Sequence, residues 1–248
     1  MDIGLFVPCY IDQFYPKVAI ATLTLLERLG YKVSFPEAQT CCGQPMANSG
    51  CERDALPAYR HFVETFKSFD YIVAPSGSCV YHIRKHYDTL EQTEEVQAVR
   101  RKTLELGEFL LDIAGKDNFS DTFFPYRVGI HHSCHGLRGL RLGPASELVQ
   151  DQRNNVEQLL HSVSGINLVA PGRTDECCGF GGTFAVTEAA VSAKMGIDRI
   201  SDFLQKGVEV ITAGDMSCLM HLEGIVRRQR LPLKVMHYAE ILIPAGLI

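Results

Sequence analysis

Short apolar runs alternate with longer amphipathic stretches along the first half of the chain. Apolar runs or period-two alternation predict strands at residues 3–7, 31–35 and 71–74. Helices are predicted between them, over residues 15–29 and 52–69, because apolar side chains recur there at helical spacing. This alternation of strand and helix is typical of a parallel sheet covered by helices.

The first half ends in helical and irregular segments. A helix is predicted to begin near residue 80, and a charged helical segment is predicted over residues 91–114. Residues 117–127 are polar and aromatic without a clear period, which indicates a connection. We therefore expect two domains, at residues 1–120 and 127–248.

The second half repeats this order of elements. Its predicted elements are strands at residues 128–130, 166–169, 208–211 and 233–236, with helices at residues 145–160 and 188–204. The predicted fold class is therefore α/β, with two pseudo-repeated halves that are each a short parallel sheet flanked by helices.

Cysteines occupy matching positions in the two halves, at or just after the ends of three successive strands. Each half carries one cysteine, then a Cys-Cys-Gly segment, then one more cysteine. The two sets of four are Cys9, Cys41, Cys42 and Cys79, and Cys134, Cys177, Cys178 and Cys218. Because ligands bind beyond the carboxyl ends of parallel strands, the cysteines of each set are predicted to converge on one rim.

Four thiolates are the usual ligands of an iron–sulfur cluster, and they also suit tetrahedral zinc. Neighbouring cysteines such as Cys177 and Cys178 rarely form a disulfide with each other, because the closed ring is strained. Glycine at positions 43 and 179 permits the sharp turn that would aim both thiols at one centre. Structural zinc sites generally use Cys-x-x-Cys pairs, which this chain lacks, so iron–sulfur is favoured and zinc is the alternative.

Charge and hydropathy limit the kinds of partner and the cellular location that we expect for this protein. A net charge of -5 over 248 residues provides no broad basic field, which disfavours nucleic-acid binding. The first residues lack a positively charged leader, and no apolar run approaches the roughly 18 residues of a membrane span. We therefore expect a cytoplasmic protein, in which nine cysteines favour metal binding or catalysis over a disulfide framework.

The two Cys…Cys-Cys-Gly…Cys repeats resemble the cysteine-rich CCG-domain family. That family includes a component of heterodisulfide reductase and the iron–sulfur subunits of glycolate and glycerol-3-phosphate oxidation systems, and the nearer likeness is to its lactate utilization members. The likeness spans nearly the whole chain. It is carried by residues 35–37, 40–45, 48–50, 75–79, 177–186 and 216–220.

The resemblance implies an iron–sulfur component of a system that oxidises L-lactate to pyruvate. Such an oxidoreductase subunit would act with a second iron–sulfur protein and a third, smaller subunit, and its eight cysteines would hold one or two clusters of the 4Fe-4S kind. In the broader family the last cysteine of each set opens a Cys-x-x-Cys pair, whereas here His82 and His221 take the second position. A four-cysteine cluster, or one with a histidine ligand, is therefore predicted in place of a five-cysteine noncubane cluster.

Other polar residues near the cysteines have several interpretations. His82 and His221 either ligate the cluster, donate a hydrogen bond to its sulfur, or are ordinary helix histidines. Further candidates for contact with a lactate carboxylate are His131, His132, His135, Arg138 and Arg141, and the histidines could also transfer protons.

Two alternatives to electron transfer stay open from the residues alone. The first is a subunit in which zinc only holds loops together. The second is a thiol-disulfide enzyme that uses the vicinal cysteines directly. A hydride-transfer enzyme is disfavoured, because the glycines at residues 179–182 lack the spacing of a dinucleotide fingerprint. Cys51 has no counterpart in the second half, and we expect it to be structural.

Overall fold

The protein contains two sheets of four parallel strands, as seen in a computed structural model that describes residues 1–148 and 153–247. The first sheet comprises β1 (Asp2–Leu5), β2 (Lys32–Ser34), β3 (Tyr71–Ala74) and β4 (Thr103–Glu105), in the order β2-β1-β3-β4. The second comprises β5 (Arg127–Ile130), β6 (Asn167–Leu168), β7 (Val210–Ala213) and β8 (Lys234–His237), in the order β6-β5-β7-β8. The predicted α/β class with two repeated halves is confirmed.

Helices connect the strands and cover both sheets. In the first half they are α1 (Cys9–Phe14), α2 (Pro16–Arg28), α3 (Gln44–Asn48), α4 (Glu52–Phe66), α5 (Gly77–His86), α6 (Glu94–Lys102) and α7 (Leu106–Glu108). In the second half they are α8 (Asn155–Leu160), α9 (Phe184–Thr187), α10 (Ala189–Gln205), α11 (Met216–Gln229) and α12 (Tyr238–Ile241). No helix in the described ranges is long and apolar enough to cross a membrane.

Two predicted helices are wrong in part. The charged segment at residues 91–114 is not one helix, because α6 gives way to strand β4, which pairs with β3 and completes the first sheet. Of the helix predicted over residues 145–160, the described residues contain only α8, and residues 145–148 form a turn. Residues 149–152 lie outside the described residues. In α8 the side chain of Asn154 accepts a hydrogen bond from the backbone N–H of Glu157, so the helix begins at this cap.

Buried hydrophobic clusters contain residues of both halves. Ile3 and Val73 of the first sheet belong to the same buried cluster as Val128 and Val210 of the second. Tyr238 at the start of α12 is fully buried in this cluster, and α12 packs against α2 of the other half. The predicted division into domains at residues 1–120 and 127–248 stays a prediction, since this packing does not test whether either half folds alone.

The carboxyl ends of β3 and β7, which are inner strands of the first and the second sheet, lie next to each other. Ser76 and Asp215 pair as an antiparallel bridge just beyond these ends, and the Gly77 N–H donates to the Gly214 carbonyl at 3.2 Å. The Asp215 carboxylate accepts from the backbone N–H of Ser78 at 2.7 Å and from its hydroxyl at 3.1 Å. The two rims that carry the cysteines are therefore brought together.

A buried hydrogen bond also crosses between the halves. The Tyr238 hydroxyl donates to Glu105 Oε1 at 2.7 Å, and the Gly107 N–H donates to Glu105 Oε2 at 2.6 Å. Burial nevertheless raises the pKa of Glu105 to about 8 from its ordinary value of 4.5. The native protein therefore binds this proton more tightly than the unfolded chain does.

The unfolding free energy of the wild type should fall as the pH rises and Glu105 ionises, and Glu105→Gln is expected to abolish this fall. Because the folded pKa of Glu105 is raised, its stabilising contribution is complete below pH 4.5 and declines as pH rises towards about 8. The decline is up to about 1.4 kcal/mol of unfolding free energy for each pH unit. Urea unfolding of the variant and the wild type near both ends of this window measures the difference.

Tyr238→Phe is the matched control for this prediction, since it removes the hydroxyl and keeps the carboxyl group. It should lower stability and keep a decline with rising pH that extends to higher pH than in the wild type, because the Tyr238 hydrogen bond lowers the pKa of Glu105. An unchanged pH dependence in Glu105→Gln would contradict the assignment of the titration to this carboxyl group.

Candidate metal centres

The eight cysteines stand at equivalent points of the two halves. Cys9 opens α1 and Cys79 lies in the first turn of α5, each just after a strand of the first sheet. The second half places Cys134 after β5, before a π-helical turn at His135–Gly139, and it places Cys218 in the first turn of α11. The vicinal pairs occupy the loops that follow β2 and β6, and these loops hold Cys41 and Cys42, and Cys177 and Cys178.

The thiols of each set are linked in the same order. In the first half, Cys41 shares hydrogen bonds with the thiols of Cys9 and Cys42, and Cys42 shares one with Cys79. The second half repeats these links in a set that runs Cys134, Cys177, Cys178, Cys218. All eight are free cysteines. The structure therefore brings each predicted set together as four adjacent sulfurs.

Hydrogen bonding makes one thiol of each set the preferred site of ionisation. Hydrogen bonds with neighbouring thiols, chiefly with Cys42, lower the pKa of the Cys41 thiol. In the second set, the hydrogen bond with Cys134 is the main cause that lowers the pKa of the Cys177 thiol. The hydrogen bond with Cys41 and burial raise the pKa of Cys42, and the hydrogen bond with Cys177 and burial raise that of Cys178. Crowded thiols of this kind ionise together only when a cation compensates their charge.

Backbone N–H groups point at the sulfurs from the Cys-Cys-Gly turns. The N–H of Gly179 donates to Cys177 Sγ at 3.3 Å, and that of Phe180 donates to Cys178 Sγ at 3.4 Å. Gly179 has φ +91°, and Gly43 in the first half has φ +85°. A residue with a side chain rarely adopts these angles, so each glycine permits the turn that presents both sulfurs.

Both cysteine sets open into one cavity of about 560 Å³ between the halves. Its wall also carries hydroxyl and amide groups, including those of Ser78, Gln44 and Asn48. Among the described residues that line it, none is a lysine or an arginine. A carboxylate in this cavity would therefore meet no side-chain cation of the described chain.

This donor set fits a metal or an iron–sulfur cluster. Each set offers four sulfurs, which is the number used by such clusters and by tetrahedral zinc. The donor N–H groups of the turns and the N-termini of α5 and α11 favour negative charge on those sulfurs. Cys51 lies apart, exposed at the start of α4, and does not line the cavity.

The two histidines predicted beside the clusters face protein partners through Nε2. His82 Nε2 is 3.0 Å from the Tyr59 hydroxyl, and burial lowers the pKa of His82 to about 3. His221 Nε2 is 3.2 Å from the Ser192 carbonyl oxygen, which can only accept, so His221 donates. Their role as ligands stays a prediction. In this arrangement only the Nδ1 atom of each ring could bind a metal, because Nε2 contacts a protein partner.

The three histidines around Cys134 have different surroundings. His135 lines the cavity and stacks on Tyr81 with ring centroids 5.1 Å apart. His132 Nε2 contacts the Asn154 side chain at 3.4 Å. His131 is buried, and burial lowers its pKa well below the ordinary value, so its ring is neutral.

His131 lies closer to the sulfurs than its position in the sequence suggests. One ring nitrogen of His131 and the Sγ atoms of Cys178 and Cys218 lie within 4.8 Å of one another. The sequence marks His131 only as a neighbour of Cys134. Its proximity to the other two sulfurs arises because β5 pairs with β7, the strand that leads to Cys218.

The arginines considered for an anionic substrate are placed elsewhere. Arg138 forms ion pairs with Glu147 at 2.7 Å and Asp175 at 2.9 Å, and neither Arg138 nor Arg141 lines the cavity. Sequence reasoning also missed the part played by Asp215, whose carboxylate holds the two rims together through Ser78. The repeat offered a signal, since Asp215 occupies the position that Ser76 holds in the first half.

A family model described as a cysteine-rich domain, CCG, matches the chain twice, at residues 3–84 and 128–223. Each match contains one set of four cysteines and the three strands that carry them. The two matches together cover more than half of the chain.

Full-length relatives are similar to this chain. Lactate utilization protein A of Exiguobacterium sp. (strain ATCC BAA-1283 / AT1b) is 40% identical, with 97% of this chain and 96% of that protein covered. Proteins of the same name from Geobacillus sp. (strain WCH70) and Bacillus subtilis (strain 168) are each 37% identical, with 98% of this chain and 99% of theirs covered. Among solved structures, a putative Asp/Glu racemase from Yersinia pestis covers 97% of this chain and 95% of its own at 14% identity, with a TM-score of 0.38. This likeness is too weak to indicate a shared fold.

Proposed function

The chain belongs to the CCG family of cysteine-rich domain proteins, and we propose that it is the iron–sulfur electron-transfer component of a system that oxidises L-lactate to pyruvate. The lactate part of this proposal is supported by the relatives, which are named lactate utilization protein A. The electron-transfer part is supported by the two sets of four thiols.

The proposal of electron transfer rests on the side chains that line the cavity between the halves. Two equivalent sets of sulfurs face one cavity, and each set needs a compensating cation before its thiols can ionise together. The described wall of that cavity supplies neither lysine nor arginine for a carboxylate. Sulfur-rich surroundings without a cationic side chain favour a redox cofactor over a site that binds and oxidises lactate itself.

The residues of the chain divide the work of holding such a cofactor. The eight cysteines would be its ligands, and the N–H groups of Gly179 and Phe180 would stabilise negative charge on sulfur. A bound iron–sulfur cluster supplies reversible one-electron transfer. From the resemblance to the lactate utilization proteins, we also propose that this chain acts with a second iron–sulfur protein and a third, smaller subunit, and that it acts in the cytoplasm.

Two other functions make different demands on the same thiols. A zinc-stabilised subunit would use the four sulfurs of each set without any redox change. A thiol-disulfide enzyme would need Cys177 or Cys41 as a free nucleophile, and the hydrogen bonds that lower the pKa of both would favour attack.

Metal analysis separates the three functions. After anaerobic purification and reconstitution with iron and sulfide, we expect iron and acid-labile sulfide in stoichiometric amounts, because each set offers a full complement of sulfur ligands. Zinc alone would overturn the proposal. Neither metal, together with eight titratable thiols besides Cys51, would favour the thiol-disulfide enzyme.

A further inference from the structure

We propose that His131 donates a hydrogen bond from Nε2–H to sulfur of the second cysteine set, and that Arg199 orients it to do so. The two cysteine sets, which are alike in their ligands, then differ in reduction potential. The part that concerns potential rests on the proposed function, whereas the orientation of His131 does not.

The proton on His131 is located by its buried neighbour. Arg199 Nε lies 3.3 Å from His131 Nδ1, and a guanidinium nitrogen can only donate. Nδ1 therefore accepts and carries no proton, so the proton of the ring is on Nε2. Nε2 is buried and has no hydrogen-bond partner in the described part of the chain.

The unpartnered Nε2 accounts for the cluster of His131 with the sulfurs. One ring nitrogen of His131 lies within 4.8 Å of the sulfurs of Cys178 and Cys218. Because Nδ1 is occupied by Arg199, we assign this role to Nε2. A buried N–H group without a partner is costly, because it has lost its hydrogen bonds with water. A sulfur ligand set in this space would satisfy it.

Nε2 is consequently a donor and not a metal ligand. Ligation through Nε2 requires its lone pair, which would move the proton to Nδ1. Nδ1–H would then face the N–H of Arg199, and two donors would oppose each other in a buried site. The interaction with Arg199 excludes that arrangement.

Arg199 is itself held in one position. Its side chain is fully buried on α10, and it pairs with Asp202 at 3.2 Å. Its guanidinium lies 4.3 Å from the ring centroid of Phe203 and also donates to the carbonyl oxygen of Arg173. These contacts fix Nε towards His131, so Arg199 acts as a positioning residue.

The first half lacks this donor. Three residues before Cys9, at the position that His131 holds before Cys134, the chain has Phe6. Phe6 is fully buried and packs edge-on against Phe62 with ring centroids 5.0 Å apart. A phenyl ring offers no N–H to sulfur, so the surroundings of the two cysteine sets differ at this position.

Two measurements test the proposal. In the metal-free reduced protein, nitrogen-15 NMR of labelled histidine should show His131 as the Nε2–H tautomer, with its signals identified by their loss in His131→Phe.

In the protein reconstituted with iron and sulfide, redox titration should resolve two transitions, and His131→Phe should shift the more positive one to a more negative potential. A donor to sulfur raises the potential because it stabilises the reduced, more negative cluster.

We expect a shift equivalent to about a tenfold change in the ratio of reduced to oxidised cluster, or about 59 mV for one electron. His131→Gln, which keeps an N–H donor near the Nε2 position, should recover much of the shift, whereas a purely structural role would leave both variants alike. An Nδ1–H tautomer would overturn the proposal, as would potentials that His131→Phe leaves unchanged. Failure of the wild type to bind any cluster would refute the proposed function, while the tautomer would still decide the orientation of His131.

Discussion

Cys178→Ser is expected to remove about half of the iron that the reconstituted protein binds. Cys178 shares hydrogen bonds with Cys177 and Cys218 of its own set, and the first set has its own four sulfurs. Loss of one buried ligand should therefore empty the second site and leave the first intact. Iron and acid-labile sulfide per polypeptide measure the loss, and circular dichroism checks that the variant is folded.

Three further variants sharpen this result. Cys42→Ser is the mirror substitution and should also remove about half of the iron, and Cys42→Ser combined with Cys178→Ser should remove nearly all of it. Cys51→Ser changes an exposed cysteine outside the cavity and should retain the full amount. Complete loss of iron in a folded Cys178→Ser protein would mean that both sets hold one shared centre.

Gly179→Ala is expected to lower the unfolding free energy by about 2–5 kcal/mol, the sum of backbone strain and overpacking. Gly179 has φ +91°, and a Cβ at this position would lie 2.5 Å from the Ser192 carbonyl oxygen and 2.8 Å from Met195 Cβ. Ser192 and Met195 belong to α10, so the turn of the second cysteine pair can relax only by moving away from this helix. Urea unfolding of the reduced, metal-free protein measures the loss.

Gly30→Ala is the matched control for this substitution. Gly30 has φ +84°, close to that of Gly179, but no atom lies within 4 Å of the added Cβ. It should lose only the cost of the backbone angle, about 1–2 kcal/mol. Equal losses in the two variants would contradict the claim that contact with α10 holds the cysteine turn.

The sequence predicted the strands that carry the cysteines better than the edges of the sheets. Residues 71–74 were predicted as a strand and form β3, because a buried parallel strand is apolar throughout. β4 was missed, since Thr103, Leu104 and Glu105 follow the charged helix α6 without a break in its pattern. Pairing with β3 determines this strand, and pairing between distant segments leaves little trace in local periodicity.

At the candidate site, too, some features could be predicted from the sequence and others could not. Repeated spacing identified all eight cysteines and the glycines at positions 43 and 179, because a turn with φ > 0 restricts the residue locally. The partners of His82 and His221 could not be predicted. Tyr59 and Ser192 lie 23 and 29 residues away in the chain, and only the packing of helices brings them to the imidazoles.

By itself, the sequence determined the class of fold, the repetition of its halves and the two sets of four cysteines at matching positions, since these follow from periodicity and from the repeated placement of residues. Only the tertiary structure decided that the two rims share one cavity, which depends on the contact of Ser78 with Asp215 across 137 residues. It also decided that His131, and not Phe6, offers a proton donor beside the sulfurs, because the buried partner Arg199 comes from a helix remote in the chain. Contacts of that kind depend on how the elements pack, and no local pattern records them.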